Sequence, residues 1–380
     1  MNFGIPILLL WSAAATAQDT IPERLQFNGY IKDLQSLTYQ EDFTNLITGN
    51  LLHNRLNFKW IPSPRITAAA EFRNRLFWGE EVSLTPLFSS QLRNDNEAFD
   101  LSANWIDEPR MVFNTNIDRL WVDYHHEQWS LRLGRQRINW GIGTTWNPND
   151  LFNTFNFLDF DYEERPGADA VKLQYLTGDM NHIEFAFFVS EKKRKEIAAL
   201  KYFMNVANYD FQFIAGWYQE QPTLGMGWSG SIKETGFKGE VQYYFLRGVH
   251  REQLNLSVEA DHMFTDGWYV SAGVLLNSLG QDESPMVWEV ASLQISPRNL
   301  MPTKWNTVLT INKEITPLIA VNTTAIYTPG TNLLILLPYF SFSLTENVGV
   351  NLVWQSFFGE GLAGFDDISH RAFLRIKWNF

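Results

Sequence analysis

Residues 370–380, at the carboxyl end of the chain, read HRAFLRIKWNF and indicate the fold more clearly than any other stretch. One parity of this segment carries the apolar side chains of Ala372, Leu374, Ile376, Trp378 and Phe380. The other parity carries Arg371, Arg375, Lys377 and Asn379, with Phe373 as the one exception. Because successive side chains of a strand point to opposite faces, the pattern predicts a β-strand with one apolar and one polar face. An edge strand of a soluble sandwich would alternate in the same way, so the rest of the chain must decide.

The same alternation recurs along most of the chain, for example in residues 65–76, 238–245, 254–261 and 268–276. A soluble sandwich rarely carries Arg, Glu and Lys in one row on strand after strand. Apolar side chains facing outward and polar ones facing inward are instead typical of a transmembrane barrel. The sequence therefore predicts an all-β fold, a single antiparallel transmembrane β-barrel of about 16–18 strands. Short periplasmic turns are expected to alternate with long outer loops, one of them over residues 278–303.

The composition agrees with this fold class and excludes others. The chain has no cysteine, so it can form neither a disulfide framework nor a thiolate metal site. Aromatic residues make up 15% of the chain, and the mean hydropathy is −0.21. A membrane protein without long apolar helices must be a closed barrel, because lipid satisfies no backbone hydrogen bonds. The net charge of −12 argues against nucleic acid as a partner.

The amino terminus predicts export from the cytoplasm. Residues 5–11 form a short apolar run, and Ala15-Thr16-Ala17 is an A-x-A cleavage sequence before Gln18. The run is too short to span a bilayer as a helix, which favours a cleaved secretory signal, although no Lys or Arg precedes it. We therefore expect a signal peptide over residues 1–17 and a barrel over residues 18–380.

Two features resemble Gram-negative outer-membrane proteins. The chain ends on Phe380, as outer-membrane barrels typically end on an aromatic residue, and residues 133–141 (LGRQRINWG) resemble a G-R-Q-x-x-x-W-G stretch of porin-like proteins. The Asn-Pro element at residues 146–153 follows that stretch, as it does in the same group. The resemblance implies a pore-type barrel in the outer membrane, in contact with lipid and lipopolysaccharide. It also implies that Trp378 and Phe380 form an assembly signal for the barrel assembly machinery, and it leaves a homo-oligomer possible.

The segment 139–166 is too long and too aromatic to be a free solvent loop, since its rings need burial. We expect a constriction loop folded into the barrel. A loop packed over the barrel top or against a neighbouring protomer would also bury these rings. The acidic residues of this loop are Asp150, Asp159, Asp161, Glu163 and Glu164.

A row of basic residues shares the lumenal parity of the strands on either side of this loop. Charges are costly on lipid, by about 2–4 kcal/mol at mid-depth, so this row should face the lumen. A bulge at Gly134 would turn Arg135 and Arg137 inward as well. An acidic loop facing a basic wall would select solutes by charge. Alternatively, Arg–Glu pairs could simply fill the lumen and hold neighbouring strands together. The predicted basic wall consists of Arg55, Lys59, Arg73, Arg75, Arg119, Arg132 and Lys172.

Signatures of enzymes and cofactor sites are weak. None of the seven histidines has the spacing of paired metal ligands, so we expect neither a metal nor another cofactor. Asp123 with His125 and His126 could form the acid–histidine pair of an outer-membrane hydrolase, but the group lies at a predicted periplasmic turn. The sequence thus favours a non-enzymatic channel for passive diffusion of small hydrophilic or charged solutes. A plugged structural or assembly barrel and a hydrolase remain as alternatives.

Overall fold

The computed structural model describes residues 24–40, 46–92, 97–154, 161, 164–165, 167–191, 193–246, 252–282, 295–361 and 364–380. The expected signal peptide and its cleavage sequence lie outside the described residues.

Within these ranges the chain forms antiparallel strands that alternate with turns. The strands are β1 (Leu25–Tyr39), β2 (Ile47–Ser63), β3 (Ile66–Gly79), β4 (Ser102–Glu108), β5 (Met111–His126), β6 (Trp129–Gln136), β7 (Ala168–Leu176), β8 (His182–Phe188), β9 (Ile197–Val206), β10 (Tyr209–Tyr218), β11 (Gln221–Ile232), β12 (Thr235–Phe245), β13 (Glu252–Met263), β14 (Trp268–Asn277), β15 (Trp305–Thr316), β16 (Ile319–Thr328), β17 (Leu333–Thr345), β18 (Val348–Gly361) and β19 (Gly364–Asn379). Two short α-helices, α1 (Glu80–Leu84) and α2 (Phe88–Gln91), and a 3₁₀ turn (Lys193–Lys195) lie between strands. In the described part of the chain, no helix is long and apolar enough to cross a membrane.

The sheet closes into a barrel. Every strand except β4 pairs with its neighbour on each side, and β1 closes the circle by pairing with β19. The strand β4 pairs only with the upper half of β5, beyond the point where the β5–β6 ladder ends. Of the 19 strands in the described ranges, 18 therefore form the wall, which confirms the predicted antiparallel barrel and the upper end of the predicted strand number.

The two ends of the barrel differ in the length of their connections. At one end, turns such as 64–65 and 317–318 contain only a few residues. Several of these turns place non-glycine residues at positive φ, as at Ala207 (52°) and Asn208 (64°), which suits tight hairpins. At the other end, three connections are long: 80–110, 137–167 and 278–304. The predicted asymmetry between short turns and long loops is confirmed.

Side-chain parity divides the wall into an apolar outer face and a polar inner face. On β13, for example, Asn255, Ser257 and Glu259 are buried inside the barrel, while Leu254, Leu256, Val258 and Ala260 face outward. Aromatic residues project outward at the short-turn end, where amphipathic rings suit a membrane interface. They include Trp60, Tyr124, Trp129, Trp268 and Trp378.

Candidate functional site

The interior of the barrel is crossed by the connection between β6 and β7. Its first part, residues 137–154, packs apolar side chains against the inward faces of many strands. Trp140 and Phe152 join a buried cluster with residues of β7, β8, β9, β10 and β12, and their rings meet edge to face with centroids 5.0 Å apart. Trp146 is completely buried in a second cluster with residues of β14, β15, β16 and β17. This part of the loop therefore lies inside the wall and reaches from β7 to β17.

Two carboxylates on the far wall hold the loop by its backbone. Glu240 on β12 accepts hydrogen bonds from the N–H groups of Ile142, Gly143 (2.9 Å) and Asn149 (2.8 Å). Glu259 on β13 accepts from the N–H groups of Thr144 (2.7 Å) and Thr145 (3.0 Å). Both carboxyl groups are buried, where leaving a hydrogen-bonding group without its partner is costly, so these five bonds hold the loop against the wall.

Amide and carbonyl groups add further ties between the loop and the wall. Gln212 on β10 donates to the Trp140 carbonyl (2.7 Å), and the Asn149 side chain donates to the Met226 carbonyl on β11 (2.9 Å). The Trp140 indole N–H donates to Glu184 on β8. The aromatic content of the loop predicted its burial. These strand partners were not predictable, because they depend on how distant strands meet across the barrel.

The end of the same loop meets the opposite wall. Asp161 accepts a short salt bridge from Lys32 on β1 (2.6 Å) and lies 3.5 Å from His53 on β2. Burial alone would raise the pKa of Asp161, but the hydrogen bond from His53 and the charge of Lys32 lower it to about 2. Glu164 pairs with Arg55 on β2. Nine steps separate β2 from β12 in either direction around the 18 strands, so the loop contacts diametrically opposite walls.

Within the loop, Asp150 links the beginning of the loop at Trp140 to its end at Arg165. It is completely buried, pairs with Arg165 and accepts the N–H of Trp140 (3.3 Å). Burial raises the pKa of Asp150 to about 7, against the lowering effect of the Arg165 guanidinium. The predicted loop acids Asp159 and Glu163 lie outside the described residues. The loop acids described against the wall, Asp161 and Glu164, dock directly onto basic residues.

Part of the predicted basic wall is tied into a buried ion network. Arg55 lies at its centre, 2.6 Å from Asp118 on β5 and 2.5 Å from Glu71 on β3. Arg73 lies 3.2 Å from the same Asp118, and the Arg119 guanidinium donates to the Arg165 carbonyl of the loop. These three arginines are buried, so their charges mainly balance nearby carboxylates.

The other members of the predicted wall are more accessible. Lys59 is exposed, while Arg75, Arg132 and Lys172 are partly exposed. Arg132 binds Asp123 (2.6 Å) and lies over the Trp121 ring (4.1 Å). A recess of about 220 Å³ at the short-turn end is lined by Lys59, Arg132, Asp123 and Trp121 among others. The basic residues that a solute can reach therefore lie mostly on this side of the interior.

The structure corrects the expectation at Gly134. The pairing of β6 with β5 and with β7 continues through Gly134 without a register shift, so there is no β-bulge. Gly134 instead has φ of +114°, and a Cβ atom there would lie 2.2 Å from the Leu120 carbonyl oxygen. Arg135 is buried against Asp169 on β7 (2.8 Å) and the Ile117 carbonyl of β5, where it links neighbouring strands. Arg137 is exposed at the start of the loop.

Sequence reasoning also missed a second inward segment. Residues 295–303 belong to a connection expected to be an outer loop. Within it, Leu300 and Met301 pack beside Trp146. Asn255 on β13 and Asn277 on β14 donate to carbonyl groups of this segment (2.7 and 2.9 Å). No periodic pattern marks this segment as buried.

The histidine sites bear on the hydrolase alternative. Asp123 lies 2.6 Å from His125, as a catalytic pair would, but the same carboxylate is shared with Arg132 at the short-turn end.

A group that the sequence did not reveal lies at the long-loop end. Here the Ser356 hydroxyl is 2.8 Å from Nδ1 of His370, and Nε2 of His370 is 2.9 Å from Asp367. A register shift between Phe357 and Phe358 in the β18–β19 ladder brings Asp367 to the same face as His370.

Ser356, His370 and Asp367 are connected in the order of a catalytic triad, so labelling of the serine tests the hydrolase alternative directly. Ser356 is only 9% exposed, so we expect its hydroxyl to be inaccessible to an ester. A fluorophosphonate probe should therefore leave the folded barrel unlabelled, as judged by intact-protein mass spectrometry. Labelling that disappears in Ser356→Ala but persists in the control Ser341→Ala would favour the hydrolase instead.

In the described residues, no group of three or more His, Asp or Glu side chains is placed to hold a metal ion.

Comparison with known proteins gives fold similarity only. No protein-family model and no curated protein matches the chain. Among solved structures, OccK8 (OprE) of Pseudomonas aeruginosa matches with a TM-score of 0.59 at 9% identity, over 94% of this chain and 98% of that one. OccK3 (OpdO) of the same organism matches with a TM-score of 0.56 at 9% identity, over 93% of this chain and 95% of that one. OccD3 (OpdP) matches with a TM-score of 0.54 at 7% identity, over 94% and 91%. This chain shares the barrel fold of these proteins along nearly its whole length.

Proposed function

We propose that the chain is a porin-like channel of a Gram-negative outer membrane. In this proposal it lets small hydrophilic or charged solutes diffuse passively through a narrowed lumen. The observation that carries the proposal is the β6–β7 loop, which is fixed to opposite walls inside an 18-strand barrel. A barrel of this size without an inner loop would leave a wide aqueous passage. A loop held across that passage narrows it without needing to seal it.

The electrostatics of the interior favour anions. Among the accessible lumenal cations, Lys59 and Arg75 lie on the neighbouring strands β2 and β3, and Arg132 and Lys172 lie on the neighbouring strands β6 and β7. The acidic residues Glu240 and Glu259 on the far side are occupied by the loop backbone. Arg132 is paired with Asp123 and Lys172 lies 3.6 Å from Glu184, so the positive charge that an anion would meet on this side is partly balanced and is most accessible at the exposed Lys59.

Single-channel recording in planar bilayers tests this function. The wild-type barrel should conduct and prefer anions in a salt gradient. The double variant Lys59→Glu/Arg75→Glu should shift the reversal potential toward cations, most strongly at low salt, where screening is weak. The control Lys233→Glu/Arg194→Glu makes the same charge change at exposed turns outside the lumen and should leave selectivity unchanged. Absence of conductance in both wild type and the loop-release variant described in the Discussion would favour the plugged structural barrel.

The proposal includes export by the signal peptide at residues 1–17 and insertion by the barrel assembly machinery. The carboxyl-terminal aromatic residues support such an assembly role. Trp378 and Phe380 face outward at the short-turn end, with ring centroids 5.4 Å apart. Phe380 also exchanges two backbone hydrogen bonds with Gly29, at 2.9 and 3.0 Å. Lipid and lipopolysaccharide would surround the outward face.

Replacing Phe380 should impair assembly more than conduction. Phe380→Ala removes an outward ring but keeps its backbone pairing with Gly29. We expect a marked loss of folded protein in the outer-membrane fraction, with unchanged conductance for each molecule that assembles. The control Phe340→Ala removes an outward ring from the interior of β17 and should assemble better. Equal amounts of Phe380→Ala and wild type in the membrane would contradict the assembly role.

A further inference from the structure

The recess in the inner wall at the short-turn end carries more positive than negative charge. It has a volume of about 220 Å³ and is formed by β2, β3, β5, β6 and the turn between β2 and β3. Its cations are Lys59, Arg65 and Arg132, and the one carboxylate in its lining is Asp123. With histidine counted as neutral, the recess therefore has an excess of two positive charges.

The strand register brings these side chains together from distant parts of the chain. Thr67 on β3, Asp123 on β5 and Arg132 on β6 lie in one row across the strands. Lys59 on β2 and Trp121 on β5 are both opposite the same residue of β3, in the next row. Residues directly opposite in an antiparallel pair face the same side, so both rows face the lumen together with the buried Asp123.

Arg132 is held in a fixed position at this recess. Its Nε atom donates to Oδ2 of Asp123 (2.6 Å), and its guanidinium lies over the Trp121 ring, 4.1 Å from the ring centroid. The terminal nitrogens of Arg132 make no hydrogen bond to the part of the chain that the structure describes. The planar end of the side chain is thus positioned in advance, with donors left for a ligand, which lowers the entropy lost on binding.

The recess offers donors and almost no free acceptors. The side chains of Lys59, Arg65 and Thr67 form no hydrogen bond or ion pair with the described residues. Both oxygens of Asp123 are engaged, one by Arg132 and the other by Nδ1 of His125 (2.6 Å). A ligand that fits this set must therefore bring negative charge and several acceptor oxygens.

We propose that the recess binds a phosphate group, either as inorganic phosphate or as part of a small phosphate monoester. A phosphate monoester carries a charge of about −1.5 to −2 at pH 7, which matches the excess charge of the recess. Its three terminal oxygens can accept from the Arg132 fork, from Lys59 and from Thr67 at the same time. A carboxylate brings one charge and two oxygens, so it satisfies only part of this set. The inference deepens the proposed function and rests on it, since the site lies where a solute would pass the short-turn end of the channel.

Isothermal titration calorimetry on the detergent-solubilised wild-type barrel tests the site without any need for conduction. The probes are inorganic phosphate, glycerol 3-phosphate and acetate, each titrated at low ionic strength, where exposed charges are least screened. We expect saturable binding of one phosphate per chain and much weaker binding of acetate. Binding of glycerol 3-phosphate alone would assign the site to phosphate esters, whereas equal binding of both phosphates would show that the phosphate group suffices. Acetate binding as tight as that of phosphate would overturn the assignment, as would a lack of saturable binding.

A pair of charge-removing variants locates the site. Lys59→Gln/Arg65→Gln removes two cations that have no structural partner in the described residues, so the barrel should fold normally. Its affinity for phosphate should fall by about tenfold or more, because charged hydrogen bonds are lost. The matched control Lys233→Gln/Lys313→Gln removes two positive charges from other strands at the same end of the barrel and should bind phosphate as the wild type does.

The outcomes separate this site from the channel itself. Equal loss of phosphate affinity in both double variants would reveal only a general attraction to the positive end of the barrel and would refute the recess as a site. A barrel that conducts but does not bind phosphate would also refute the site, while leaving the channel proposal intact. Phosphate binding that depends on Lys59 and Arg65 in a barrel without conductance would support the site and refute the channel.

Discussion

Releasing the inner loop should increase single-channel conductance severalfold. The double variant Glu240→Ala/Glu259→Ala removes the acceptors of five loop N–H groups, at Ile142, Gly143, Thr144, Thr145 and Asn149. An intramolecular hydrogen bond typically contributes about 0.5–1.5 kcal/mol, so the loss of all five should detach the loop segment from the β12–β13 wall. The detached segment should leave the passage wider and its current noisier.

The control for this experiment is Glu252→Ala, which removes an exposed carboxylate at the end of β13 without touching the loop. It should conduct as the wild type does. Intact secondary structure by circular dichroism would show that the double variant still forms a barrel. An unchanged conductance in a folded Glu240→Ala/Glu259→Ala barrel would contradict the idea that this loop sets the width of the passage.

Removing the Arg55 charge should cause the largest loss of stability among single substitutions in the wall. Arg55→Met leaves Asp118 and Glu71 without their central cation, and Asp118 is almost completely buried. Breaking a buried ion pair by removing one partner typically costs about 3–5 kcal/mol. Urea unfolding, followed by the mobility difference between folded and unfolded barrels in gels, should show a clearly lower midpoint.

Two variants make this result specific. Lys59→Met lies on the same strand and the same face, but Lys59 is exposed, so we expect little change in the midpoint. Adding Asp118→Asn to Arg55→Met should restore part of the stability, because without Arg55 the buried Asp118 charge is balanced directly only by Arg73, at 3.2 Å. A midpoint for Arg55→Met equal to that of Lys59→Met would mean that the ion network contributes little.

The fold was predictable because strand parity is a local property of the sequence. The alternation at residues 370–380 and at 254–261 placed the apolar side chains outward and the polar side chains inward before any partner strand was known. The number of strands was less certain, since residues 287–295 alternate as a strand does, and only the even count expected of a barrel favoured a single outer loop at 278–303. Parity also placed Glu240 on the inner face, in a row with Lys238 and Gln242.

The site was only partly predictable, because its contacts join residues that are far apart in the chain. The rings at Trp140 and Trp146 indicated that the loop is buried. Nothing local indicated that Glu240, about 90 residues later, would accept its backbone N–H groups. The residues of the basic wall were predicted together. Which of them pair with carboxylates depends on the strand register. Arg55 and Arg73 share Asp118 because a bulge in β5 turns two consecutive residues, Asp118 and Arg119, inward.

The way in which the wall holds the loop has a consequence for variation of this protein. Glu240 and Glu259 bind backbone N–H groups, which every residue except proline possesses. Attachment of the loop to the wall through these hydrogen bonds therefore does not depend on which side chains the loop carries. The residues at 142, 144 and 145 can be exchanged for others of different size or charge while the loop remains attached, whereas a Cβ atom at Gly143 would lie 2.5 Å from the Trp146 carbonyl oxygen. Substitutions at those three positions can therefore change the width and charge of the passage, in evolution or by design, without changes to the barrel wall.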